Sequence, residues 1–140
     1  MKHLTPFHLA VPVKNLAESR AFYTKVLNFE EGRSSSHWVD YDFFGHQFVI
    51  HESSDYHFDE AYGKVDAHQV PVPHFGVVLP WDVFDRFATH LKRKEIQFII
   101  EPYVRFKDKP GEQKTLFFKD PSGNALEFKS FRNMNQLFEK

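Results

Sequence analysis

The sequence contains no cysteine, which excludes disulfides, thiolate zinc sites and a cysteine nucleophile together. Any bound metal must be held by nitrogen and oxygen. An excess of charge of either sign is also lacking: 18 Lys and Arg stand against 19 Asp and Glu, a formal net charge of -1. Such a balance supplies no field for gathering phosphate backbones, so no nucleic-acid partner is expected. The one basic run, Lys92-Arg93-Lys94, closes a helical pattern, where cations suit the negative end of the helix dipole. No apolar run approaches the roughly 20 residues of a membrane span, and Met1 to Pro6 lacks the apolar stretch of a secretory signal. We therefore expect a cytoplasmic protein without a membrane partner. Ser34-Ser35-Ser36 is not framed as a nucleophile elbow, and no glycine-rich phosphate loop occurs. Serine-hydrolase and nucleotide-dependent chemistry are set aside.

What is present is bulk and histidine. The 140 residues suffice for one domain with a real core, and Phe, at 17, far outnumbers Tyr (5) and Trp (2). The 9 His are scattered rather than clustered, so each has to be weighed in its own context. Phe7 to Val13 is short, apolar and β-branched, and Asn15 can cap a helix carrying Leu16, Phe22, Tyr23, Val26 and Leu27 on one face. Gly32 to Ser36 reads as a loop or irregular edge. Trp38 to Phe44 and Gln47 to His51 form a hairpin about Gly45. The polar, proline-containing stretch from Ser53 to Pro73 reads as a linker or lid, with Tyr56, Phe58 and Tyr62 as candidate anchors.

The plan then repeats. His74 to Leu79 is a strand, Asp82 caps a helix bearing Phe84, Phe87, Ala88 and Leu91, and Ile96 to Ile100 is the next strand. Lys114 to Phe118 and Asn124 to Lys129 follow, joined by the turn Asp120-Pro121-Ser122-Gly123. His8-Leu9-Ala10-Val11 can be laid over His74-Phe75-Gly76-Val77, each preceded within two residues by proline. The expected fold is α+β: two paired β-α-β-β-β modules, about residues 1–55 and 72–130 of a single domain, forming an open cup-shaped mixed sheet with helices outside. Residues 131–140 make a tail or short helix.

Strand alternation selects the candidate site. His8 shares a face with Ala10, and His74 shares one with Gly76, which leaves room beside it. In the last strand Leu126 and Phe128 are the core pair, turning Glu127 to the opposite face with Ala125. Taken singly, either histidine could be a satisfied core residue and Glu127 a strand-edge charge paired with a lysine. Together they put two imidazoles and a carboxylate on one concave face, where a shared divalent metal would offset the cost of burying charge. A facial set of two His and one carboxylate leaves coordination positions open for a substrate chelate or dioxygen, and Fe(II) is its favoured occupant; Mn, Ni or Zn could replace it.

The opening Phe7-His8-Leu9-Ala10-Val11-Pro12-Val13 with Ser19-Arg20-Ala21-Phe22-Tyr23, the mid-chain His74-Phe75-Gly76-Val77 and the closing Asp120-Pro121-Ser122-Gly123-Asn124-Ala125-Leu126-Glu127 resemble the vicinal oxygen chelate superfamily, the glyoxalase, bleomycin resistance protein and extradiol dioxygenase group. The resemblance spans nearly the whole chain and implies metal ligands at His8, His74 and Glu127. It also implies a small-molecule substrate and a homodimer, in which Leu137 and Phe138 could help cover the partner. The glyoxalase branch adds a ligand on the fourth strand, commonly Glu. Here Gln47, Val49 and His51 should face the cup and Glu52 away, so the chain looks more like the three-ligand dioxygenase and fosfomycin-resistance branches. His51 is then an acid/base, an extra ligand or a polar strand end. Tyr103 and Arg105 fall on the connection from Glu101 to Gln113, either as surface-loop residues or as substrate contacts, with Arg105 a bidentate partner for a carboxylate. The implied activity is extradiol-dioxygenase-like. A glyoxalase-like lyase or isomerase and a non-catalytic sequestering protein of the bleomycin-resistance type are the alternatives.

Overall fold

The computed structural model describes residues 4–53, 55 and 61–140. Tyr56, His57 and Phe58 lie outside the described residues. The chain divides into two compact units, Met1–Phe58 with Asp120–Asn124, and Asp59–Lys119 with Ala125–Lys140. The fold is α+β with open sheets: the first unit carries a β-α-β-β-β module, and in the second a hairpin and an irregular extended segment precede one helix and three strands.

In the first unit β1 (His8–Val13) leads through Asn15 into α1 (Leu16–Ala21), which continues as a π-helical turn over Phe22–Val26. Asn15 caps as expected, its side chain accepting the Glu18 N–H at 2.8 Å. The Glu52 carboxylate accepts the Leu16 N–H, also at 2.8 Å, so this acidic residue serves the helix start. Asn28, at φ 61°, ends the helical segment. Strands β2 (Glu30–Ser34), β3 (Trp38–Phe43) and β4 (His46–Glu52) complete a four-stranded sheet ordered β1-β4-β3-β2. The β3–β4 hairpin turns on Phe44 and Gly45, at φ 52° and 85°, the left-handed pair that suits a two-residue hairpin loop. Alternation holds in β1 and β3, while β4 buries Phe48, Val49 and Ile50 in succession. Leu9, Val11 and Val13 are more buried than His8 and Ala10, and Tyr23, Tyr41, Phe43 and Phe48 pack ring against ring on the buried side.

The closing motif belongs to this first unit as structure rather than chemistry. Tyr23 donates its hydroxyl hydrogen to Asp120 at 2.8 Å, and the Ser122 hydroxyl accepts the Lys14 N–H at 2.8 Å. The Asn124 amide donates to the Pro12 carbonyl at 2.8 Å and to Asp120 at 2.9 Å. Burial pushes the Asp120 carboxyl pKa up, against the pull of these donors.

The second unit corrects two expectations about the chain between the modules. The stretch read as a linker contains a hairpin, β5 (Ala61–Val65) and β6 (His68–Val72), turning on Asp66 and Ala67 at φ 48° and 64°. Neither turn residue is glycine, so the turn carries no local sequence signal. Tyr62 is exposed rather than an anchor. The strand expected over His74 to Leu79 runs parallel to β9 (Ala125–Phe131), with backbone hydrogen bonds at Phe75, Val77 and Leu79, but forms isolated bridges at Phe75–Leu126 and Val78–Lys129 rather than a continuous strand.

Helix α2 (Trp81–Arg93) begins two residues earlier than expected: Pro80 is the cap residue, and Asp82 lies inside the first turn, paired with Arg86 at 2.8 Å. Phe84, Ala88 and Leu91 are buried, and the basic run closes the helix. Strand β7 (Phe98–Arg105) starts two residues after the expected Ile96 and runs well past Ile100. With β8 (Gln113–Lys119) and β9 it forms a three-stranded sheet ordered β7-β8-β9. A 3-10 turn over Met134–Phe138 ends the chain. Lys114, nearly buried on β8, pins α2: its ammonium lies 2.7 Å from Asp85 and 3.8 Å from the Trp81 ring centroid.

Candidate functional site

One face of the β7-β8-β9 sheet is built by alternation and register. Phe117 is paired with Glu127, Thr115 with Lys129, and Tyr103 with Thr115. Those side chains, with Ile100 and Arg105 of β7, share a face, and His74 and the β5–β6 hairpin close over it. The result is a cavity of about 200 Å³ lying wholly within the second unit. It is lined by apolar Val65, Val70, Ile100 and Phe117 together with titratable His74, Glu127, Arg105 and Lys129.

His74 and Glu127 meet there. His74 Nε2 lies 3.0 Å from Glu127 Oε2. The other ring nitrogen, Nδ1, is 2.7 Å from the Pro71 carbonyl, which can only accept, so Nδ1 carries a hydrogen and donates it. Thr115 donates to the second Glu127 oxygen at 2.7 Å. The Phe117 ring stands edge-on to the imidazole, with centroids 5.0 Å apart. Hydrogen bonding to Glu127 raises the His74 pKa above the ordinary 6.5; burial opposes this and the Pro71 carbonyl adds to it. Burial works against ionising Glu127, yet the hydrogen bonds from His74 and Thr115, with Lys129 nearby, hold its pKa below the ordinary value.

His74 and Glu127 bring together one nitrogen and one carboxylate oxygen, two of the donors a divalent cation would need once the Nε2 proton is displaced, while their companion atoms are fixed by Pro71 and Thr115, the outer contacts that orient ligands. Two donors 3.0 Å apart can both stand about 2.0–2.2 Å from one ion.

The other expected site residues are placed as follows. His8 lies in the first unit, exposed at the start of β1, with Nδ1 2.8 Å from the Gln47 amide oxygen. Among the described residues, no group of three or more His, Asp or Glu is gathered closely enough to hold a metal. His51 is on the same sheet face as His8, but the register pairs His8 with Gln47 and Pro12 with His51. Four residues of strand therefore separate them, about 13 Å. The His51 ring lies 6.4 Å from that of Trp38.

Tyr103 and Arg105 are not on a loop: both belong to β7 and line the cavity. Asp66, at the hairpin tip, pairs with the Arg105 guanidinium through Nε and Nη2 and accepts the Tyr103 hydroxyl hydrogen at 3.1 Å. Those donors hold the Asp66 carboxyl pKa below its usual value, the Arg105 hydrogen bond contributing most. Sequence reasoning missed Thr115, Lys129 and Asp66. Alternation from Glu127 would have found Lys129. Thr115 needed the β8–β9 register, and Asp66 the hairpin.

Comparisons with known proteins agree with this architecture. A family model described as Glyoxalase/Bleomycin resistance protein/Dioxygenase superfamily matches residues 5–128. The solved structure of a glyoxalase/bleomycin resistance protein/dioxygenase from Alicyclobacillus acidocaldarius is 29% identical, covers 99% of this chain and 100% of its own, and superposes with a TM-score of 0.82. A genomically encoded fosfomycin resistance protein from Listeria monocytogenes shares the fold at 18% identity, with coverage of 97% and 98% and a TM-score of 0.68. A lactoylglutathione lyase from Agrobacterium tumefaciens shares it at 14% identity, with full coverage of both chains and a TM-score of 0.64. A search of curated proteins finds no match.

Proposed function

Because the chain belongs to the glyoxalase/bleomycin resistance protein/dioxygenase superfamily, we propose that it is a divalent-metal-dependent enzyme acting on a small substrate with two neighbouring oxygens. The observation that carries this reading is the His74–Glu127 pair, 3.0 Å apart on the wall of a cavity. His74 and Glu127 supply two ligands, and His8, from the first module, is counted as the third. The superfamily generally uses divalent metals; Fe(II) is the favoured ion, with Mn, Ni or Zn as alternatives.

Cavity size and lining favour a single-ring substrate. A dry cavity of about 150 Å³ accommodates benzene, and this one is about 200 Å³ with an apolar wall including Ile100 and Phe117. That match supports an extradiol-dioxygenase-like reaction on a catechol or similar molecule over a larger conjugate. Fe(II), when bound, would chelate the paired oxygens and bring dioxygen beside them. Thr115 holds Glu127 in place, and Phe117 and Ile100 flank the ring and exclude water. Tyr103 and Arg105 contact the substrate's polar edge. Asp66 engages Nε and Nη2 of Arg105, so the Nη1 edge is the one offered to a substrate carboxylate. His51, about 13 Å along the sheet from His8, is too distant to serve as the acid/base there, and two copies of the chain form the working assembly.

Anaerobic Fe(II) loading followed by oxygen-electrode assays over a set of catechols tests the reading. Oxygen uptake with a ring-cleavage chromophore is expected. Metal-dependent turnover of the methylglyoxal–glutathione hemithioacetal under Ni, Mn or Zn, without oxygen uptake, would replace it with the glyoxalase-like alternative. Tight ligand binding without turnover under any metal would indicate sequestration. Glu127→Gln should weaken metal binding strongly while Glu52→Gln, whose carboxylate serves Leu16, should not. Equal metal content in wild type and Glu127→Gln at limiting metal would refute the ligand assignment.

A further inference from the structure

On the first module's exposed sheet face, His8 of β1, Gln47 of β4 and Asp40 of β3 form a line of hydrogen bonds. Gln47 is the register partner of His8, and Asp40 is its diagonal neighbour two residues from its partner Asp42. The Gln47 amide oxygen lies 2.8 Å from His8 Nδ1, and its amide nitrogen 3.3 Å from an Asp40 carboxylate oxygen. Arg33 Nε stands 3.9 Å beyond, on the same carboxylate oxygen.

The chemistry of these three groups fixes a direction. An ionised carboxylate has no hydrogen to give, so Gln47 must turn its NH2 toward Asp40 and its oxygen toward His8. An amide oxygen only accepts, so the hydrogen of a neutral His8 ring must sit on Nδ1. The single lone pair left is on Nε2. The reverse amide orientation would set an oxygen against the carboxylate and reverse the tautomer. His74 is likewise held through Nδ1, by the Pro71 carbonyl, but its Nε2 is engaged by Glu127.

We propose that Gln47, oriented by Asp40, is a positioning residue that holds His8 as the Nδ1–H tautomer and so offers Nε2 as a metal ligand. This rests on the reading of His8 as a ligand given above. Gln47 does not touch the metal or the substrate. It acts through His8, as the outer partners of ligating histidines do.

The metal-free protein allows a direct reading. With 15N-labelled histidine, long-range 1H–15N correlation spectra distinguish the two tautomers at a pH where the ring is neutral. Wild type is expected to show His8 with Nδ1–H. Gln47→Met, similar in length and without the amide, should move His8 toward Nε2–H, and Asp40→Asn, which lets the amide turn either way, should give an intermediate mixture. Gln47 is exposed, so the thermal midpoint of Gln47→Met should hardly move. Zn(II) affinity, measured by chelator competition, should fall about 10- to 100-fold in Gln47→Met.

A wild-type His8 in the Nε2–H form, or a Gln47→Met protein with unchanged tautomer, overturns the proposal. Affinity lost in His8→Ala but kept in Gln47→Met overturns it while leaving the ligand assignment standing. Unchanged Zn(II) affinity in His8→Ala removes the ligand assignment itself, and with it the purpose of the hydrogen-bonded line.

Discussion

The carbonyl oxygen of Glu127 lies 1.5 Å from where a Cβ on residue 76 would stand, so only glycine can occupy that position beside β9. The backbone bonds on either side explain the approach: Phe75 N–H donates to the Ala125 carbonyl at 3.2 Å, and Glu127 N–H to the Phe75 carbonyl at 2.8 Å. His74 and Glu127 are therefore set side by side by backbone contact, before any side chain is considered. Gly76 was expected to leave room for a side chain; what it admits is the neighbouring strand.

Gly76→Ala should force the two strands apart, breaking those two bonds and separating His74 from Glu127. A loss of about 2–4 kcal/mol is expected, read as a lower urea midpoint with a matching loss of metal binding. An unchanged midpoint would mean that the strand is not held this closely.

Tyr23→Phe tests whether the closing motif is structural. Tyr23 is fully buried and donates to Asp120. Removing the hydroxyl leaves a buried carboxylate short of a donor, for an expected cost of about 1–3 kcal/mol. Metal affinity should be unchanged if the motif serves the first module's packing, and a loss of affinity at full stability would contradict that assignment.

The parity arguments worked wherever a strand had one buried face. Leu9, Val11 and Val13 against His8, and Leu126 and Phe128 against Glu127, could be assigned from alternation alone, because a one-residue slip would expose the whole apolar set. What was illegible depended on partners distant in sequence. The β5–β6 hairpin turns on Asp66-Ala67 rather than on glycine, so its turn carries no local signal. β7 extends to Arg105 because β8 is there to pair with it through Gln113. Thr115 reaches Glu127 only through the β8–β9 register, and the orientation of Gln47 follows only once Asp40 is seen at its amide end.

Glu31 gives an acid-limb prediction. Hydrogen bonds from Arg20 and Thr24, at 2.9 and 2.6 Å, hold its pKa at about 2 against an ordinary 4.5. A depressed carboxylate stabilises the fold above its unfolded pKa, and that contribution is lost as pH falls from about 4.5 toward about 2. Glu31→Gln should flatten that part of the stability–pH curve and lower stability modestly at neutral pH, where the contribution is fully present but solvent screening keeps it small. An acid limb of unaltered slope in the variant would rule the contact out as its source.

His74 supplies the prediction in which proton and metal oppose each other. In the metal-free protein its pKa is raised, first by the hydrogen bond to Glu127. A raised histidine pKa stabilises the fold fully below the unfolded value of 6.5, and the gain fades as pH rises through the folded value. Metal at the same Nε2 has the opposite preference, since it must displace that proton. The metal-free protein should therefore lose part of its stability as pH rises above 6.5, while metal-dependent stabilisation grows over the same range. NMR titration of the His74 ring should give a midpoint above 6.5 in wild type and a lower one in Glu127→Gln, where the amide no longer favours the imidazolium. A wild-type midpoint at or below 6.5 would show that the two side chains do not share a proton, and the pairing that supports the metal centre would lose its electrostatic basis.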